Sequence, residues 1–92
     1  MPTAIELDPR LRSEPPGPRR AFLALRAVGA NQQEIADQCN CARAVVSRVI
    51  HGRCTTELHR RIRRALCQRT GMSPTWLFAH AETRNIVTAT AA

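Results

Sequence analysis

The sequence predicts an all-α, compact five-helix domain, on three observations. Apolar residues recur at helical spacing through the middle of the chain, and no segment alternates with the period of a strand. Residues that stop helices, Gly29, Asn40, Gly52 and Gly71, fall at the ends of those periodic stretches. Aromatic residues are scarce: there is no Tyr, one Trp and two Phe, so the core must be built from Leu, Ile, Val and Ala, which favours packed helices over a sheet.

The first helix is expected over residues 18–28, with Pro18 near its first position, Phe22, Leu25 and Val28 turned inward and Gly29 as its stop. Asn31 is a good N-cap for the second, with Glu34 three residues on as in a capping box, and Ile35, Ala36 and Cys39 form its inward face. Asn40 is one of the few non-glycine residues that tolerates a left-handed backbone, so it makes the turn. A third helix spans residues 43–51, with Val46, Val49 and Ile50 inward and Gly52 ending it. The fourth covers residues 56–70, burying Leu58, Ile62, Ala65 and Leu66. Ser73 and Pro74 then supply the cap and first position of a short last helix that brings Trp76, Leu77 and Phe78 to the core. Outside these helices, residues 1–17 hold Pro2, Pro9, Pro15 and Pro16 among charges and read as a flexible N-terminal arm. Residues 82–92 read as a flexible C-terminal tail, leaving one domain over residues 18–81.

The 92 residues carry a formal net charge of +7, and all 14 basic residues are Arg. Between Arg43 and Arg69 the only acidic side chain is Glu57, so the positive field is concentrated in the middle of the chain. Arg presents a planar fork of donors suited to phosphates and guanine edges. No stretch approaches the roughly 18 apolar residues of a membrane span, and no basic-then-apolar leader is seen; a cytoplasmic protein with reduced thiols is the expectation.

The stretch NQQEIADQCNCARAVVSRVIHG, residues 31–52, resembles the helix-turn-helix of lambda-repressor-like phage regulators and their bacterial relatives. The matching features are Gln32 opening the first motif helix, Ile35 and Ala36 in its middle, the run from Val46 to Ile50, and the His51-Gly52 end. Residues 74–78 look like the closing helix of such domains. Ala36 supplies the small residue that two steeply crossed helices need where they touch, while Val46 and Val49 lock the second helix onto the first. What remains on its outer face is Arg43, Ala44, Ser47 and Arg48. The resemblance implies that this face enters the major groove of operator DNA and contacts bases, with Arg48 alternatively reaching a phosphate. It places Gln32 where relatives contact the DNA backbone or buttress the recognition side chain and Gln33 at the DNA backbone, and the basic residues Arg53, Arg60, Arg61 and Arg64 suit phosphates better than bases. The chain departs from the family in having Asn40 where Gly is usual, and Ala42 where Ser or Thr caps the recognition helix.

The resulting expectation is a sequence-specific regulator, most simply a phage or prophage-type repressor, bound as a homodimer to an inverted-repeat operator. Trp76, Phe78, Ala79 and His80 are the expected dimer surface. An antitoxin-type autorepressor and a protein-interaction module without DNA affinity are the alternatives. Arg10, Arg12, Arg19 and Arg20 suit either an arm in the minor groove or a leader with no partner. No metal is expected: Cys39 and Cys41 are separated by a single residue, where structural zinc uses two to four between paired ligands. Ser47 with His51 or His59 lacks a third orienting group and a glycine-rich elbow, so neither catalysis nor a cofactor nor a small-molecule substrate is expected.

Overall fold

A computed structural model describes residues 2–81, all of whose regular structure is helical. In chain order the elements are α1 (Ala4–Leu7), a 3-10 helix (Pro9–Ser13), α2 (Arg19–Ala27), α3 (Gln32–Cys39), α4 (Arg43–Ile50), α5 (Glu57–Thr70) and α6 (Pro74–Leu77). Helix α5 is the centre of the arrangement: α2, α3, α4 and α6 all pack against it, and α3 also packs on α4. The tail expected over residues 82–92 lies outside the described residues.

The expected helices are present, with informative differences. Helix α2 begins at Arg19, with Pro18 just before it, and its buried side chains are Ala21, Ala24 and Leu25, whereas Phe22 and Val28 are only half-buried. Small alanines let α2 lie close to its neighbours, so the aromatic ring at 22 stays at the margin. In α3 the Asn31 side chain accepts the Glu34 N–H at 2.8 Å. The reciprocal half of the expected capping box is missing because the Glu34 carboxylate pairs with Arg69 Nε at 2.6 Å. Arg69 also donates to the Val28 carbonyl at 3.1 Å, tying the end of α2 and the start of α3 to α5.

Helix α3 ends as predicted at a left-handed Asn40, φ 55°. The Cys41 N–H reaches back to the Ala36 carbonyl at 3.0 Å and the Asn40 N–H to Asp37 at 3.3 Å, the paired bonds of a Schellman ending. Asn has some tolerance for this backbone, which is why the usual glycine is dispensable here. Helix α4, with only eight residues, is too short to stand on propensity alone. Val46, Val49 and Ile50 are each fully buried, and burial of such side chains stabilises by about 1.5–3 kcal/mol apiece. Helix α5 is capped by Thr56, which accepts the His59 N–H at 3.1 Å, and buries Ile62, Ala65 and Leu66, with Leu58 half-buried.

The flexible arm expected over residues 1–17 is corrected over its described residues, 2–17, which fold. Thr3 and Glu6 form a reciprocal capping box on α1, Asp8 caps the 3-10 helix, and Ala4 and Leu11 are 0% and 2% exposed within the common core. The prolines that suggested disorder sit at helix starts and between elements, where a missing N–H does no harm. Three of the four arginines weighed for a minor-groove arm are engaged within the protein, and Arg12 is exposed. Arg10 pairs with Asp8, Arg19 with Glu14, and Arg20 is bound to the carbonyls of Glu14 and Trp76.

Candidate nucleic-acid interface

Helix α4 divides cleanly. Its inner side is Val46, Val49 and Ile50; Arg43, Ala44 and Arg48 are exposed and Ser47 is half-buried beside them. The i, i+4 spacing of 43 with 47 and of 44 with 48 puts all four on one stripe. The Schellman ending at Asn40 and the extended backbone of Ala42, ψ 147°, set the direction in which α4 leaves α3. No side chain caps α4, because Ala42 has no acceptor to offer.

The side chains of Arg43 and Arg48 make no hydrogen bond or ion pair among the described residues, and the same holds for those of Arg53, Arg61 and Arg64. Arg60 instead meets Glu57 at 3.2 Å on the exposed face of α5. Arg53, expected to share a backbone-contacting role with Arg61 and Arg64, lies apart from them, beside Arg48, which was expected at bases or a phosphate. Arg48 and Arg53 border a shallow groove of about 260 Å³ with His51 and Gly52 at the carboxyl end of α4. Arg61 and Arg64 line a second groove, about 150 Å³, with Gln38 and Gln68 between α3 and α5. At the start of α3, Gln32 is half-buried, while the Gln33 amide is engaged by the Asp37 carboxylate at 2.8 Å.

The expected dimer surface needs one correction. Phe78 is 0% exposed, its ring covered by the Arg63 guanidinium 4.5 Å from the centroid, so it has no surface to give a partner. Trp76 is half-buried under Arg20, at 4.6 Å, and Ala79 and His80 are half-buried.

Sequence reasoning missed the roles of the histidines. His59 is buried, and its Nδ1 accepts the Thr55 N–H at 3.0 Å, so the ring closes the turn into α5. His51 lies against the edge of Phe22, ring centroids 6.0 Å apart, with Nδ1 2.8 Å from the Ser47 carbonyl. The i, i+4 spacing of Ser47 and His51 at a helix end was the available signal. All four cysteines are free thiols. Burial raises the pKa of Cys41, with Cys39 adding to the shift and Arg61 opposing it; burial likewise raises that of Cys67 against the influence of Arg63. Both therefore favour the protonated thiol. Among the described residues no group of three or more His, Cys, Asp or Glu is gathered as a metal would need, and no helix is long and apolar enough to cross a membrane.

No protein-family model matches this chain, and no curated protein or solved structure matches it. A compact all-helical fold is therefore what stands beside the residue pattern of 31–52.

Proposed function

We propose that this chain is a sequence-specific double-stranded DNA-binding regulator of the lambda-repressor-like kind, most simply a repressor that occupies an inverted-repeat operator as a homodimer. The observation that carries the reading is α4 itself. Three apolar side chains fasten its inner side, and on the outer stripe Arg43, Ala44, Ser47 and Arg48 are left for a ligand, with both guanidinium groups uncommitted among the described residues. Such a helix fits the major groove, where Arg43 would take a guanine edge through its two parallel donors. Arg53 follows at the helix end, where phosphates flank the groove. Arg61 and Arg64 offer a second basic strip for the backbone.

Selection of duplexes from a random pool tests this directly. A bound set with one shared motif, arranged as two half-sites about one helical turn apart, is the expected outcome. Affinity should also fall by about three to five decades between roughly 50 and 200 mM salt if six to ten phosphates are contacted. A pool that emerges unenriched, with no salt-dependent binding, overturns the reading and favours an interaction module.

A further inference from the structure

At the carboxyl end of α4 each of the final carbonyls already has a partner. Ser47 accepts the His51 N–H at 3.0 Å and the His51 ring at 2.8 Å; Arg48 accepts the Arg53 N–H at 3.0 Å; Val49 accepts the Gly52 N–H at 3.0 Å; Ile50 accepts His80 Nε2 at 3.0 Å. The negative end of a helix ordinarily repels anions through carbonyls left without donors. Here those carbonyls are engaged, and the groove beside them is bordered by Arg48, His51, Gly52 and Arg53, with no carboxylate among them.

His51 has a constrained proton. A carbonyl oxygen can only accept, so the contact with Ser47 puts the hydrogen of the neutral ring on Nδ1. The other nitrogen, Nε2, is then an acceptor in the neutral ring and a donor only in the imidazolium. Phe22 meets the ring from α2 in an edge-on contact; the charged groups lining the groove are Arg48 and Arg53, and His80 is bound to the adjacent Ile50 carbonyl.

We propose that this groove is a phosphate-binding subsite in which Arg48 and Arg53 grip the anion at any working pH and His51 joins them only when protonated, so that DNA binding takes up a proton. The inference rests on reading α4 as the DNA-contacting helix. A neutral His51 would turn a lone pair toward phosphate oxygens that can themselves only accept; the imidazolium turns an N–H toward them instead.

The test compares duplex binding by the full chain near pH 5.5 and near pH 8 over a series of salt concentrations, for the wild type and for His51→Gln and His51→Arg, each confirmed folded by circular dichroism. The wild type should bind about tenfold tighter at the lower pH, as one charge-assisted hydrogen bond is gained. Its salt slope should steepen by about 0.9, the contribution of one further phosphate contact. His51→Gln should keep the shallow slope at both pH values and His51→Arg the steep one. If His51→Gln retains the wild-type pH response, the inference is overturned while the α4 reading survives. Failure of the wild type to bind any duplex overturns both. Inorganic phosphate alone, titrated against the His51 ring resonances, distinguishes the source of the anion: saturation at micromolar concentration would assign the groove to free phosphate and overturn a duplex role.

Discussion

The seam between the N-terminal segment and α6 and the outer face of α4 both present arginine, in opposite circumstances. In the seam, Arg20 Nε donates to the Glu14 carbonyl and Nη1 to the Trp76 carbonyl, each at 2.9 Å, with the guanidinium lying over the Trp76 ring. Its fork of donors thereby reaches a carbonyl 56 positions further along the sequence. On α4, Arg43 and Arg48 have the same donors and none of these partners among the described residues. The arginines thus include some that hold the fold and others whose side chains have no partner among the described residues. Counting them along the sequence does not separate the two; the carbonyls and rings nearby do.

The comparison is most easily broken at the seam. Leu11 is 2% exposed, so Leu11→Ala should lower unfolding free energy by about 2–5 kcal/mol, measured by urea denaturation. A change below about 0.5 kcal/mol, the size typical of surface substitutions, would return residues 2–17 to the status of a loose arm. Arg20→Ala comes next: loss of hydrogen bonds from a charged donor to two carbonyls should destabilise by about 1.5–3 kcal/mol. Arg20→Lys should recover little, since an ammonium cannot reproduce the fork or stack as well on Trp76. Neither change should alter the salt slope of DNA binding once the protein is folded. A reduced slope in Arg20→Lys would mean that the seam also touches the duplex.

Most of the helical frame was legible because its signals are local. Asn31 and Ser73 each accept a backbone N–H at the helix start they predict, Thr56 does so where the fourth helix was expected to begin, and Asn40 and Gly71 take the left-handed backbone that ends α3 and α5. The outer stripe of α4 followed from the positions of Val46, Val49 and Ile50. What escaped depended on distant partners. Ala4 and Leu11 gave no periodic pattern because α1 has four residues and the 3-10 helix five, too few for a period to be recognised. Their burial is achieved by docking, and Thr3 comes so close to Gly71 that a Cβ there would lie 3.1 Å from its Cα. The fate of Glu34 turned on Arg69, which short-range spacing does not show, whereas Phe78 is buried as its place in the last helix implied.

On the α4 side, Arg43→Ala should leave thermal stability unchanged, since the side chain is exposed and has no partner among the described residues. It should remove about 1–3 kcal/mol of discrimination at one base position of each half-site, read by competition among single-base operator variants. Uniform weakening across all variants would move Arg43 from base reading to phosphate contact. Loss of melting temperature would move it into the same class as Arg20.

The smallest effect sharpens the comparison from the other direction, by adding a contact. Ala42 occupies the N-cap of α4 with extended backbone, φ −76° and ψ 147°, and provides no side-chain acceptor. Asn31, Thr56 and Ser73 stand in similar backbone conformations and each accept an N–H from the first turn of its helix. Ala42→Ser should therefore complete the cap and stabilise by about 1 kcal/mol, read as a higher urea midpoint at unchanged slope. Because the hydroxyl would bond inward to the backbone of the first turn, Arg43 should keep its base preference. A stabilised variant with altered preference would show that the first turn of α4 shifts on binding, and that the missing cap leaves it free to do so.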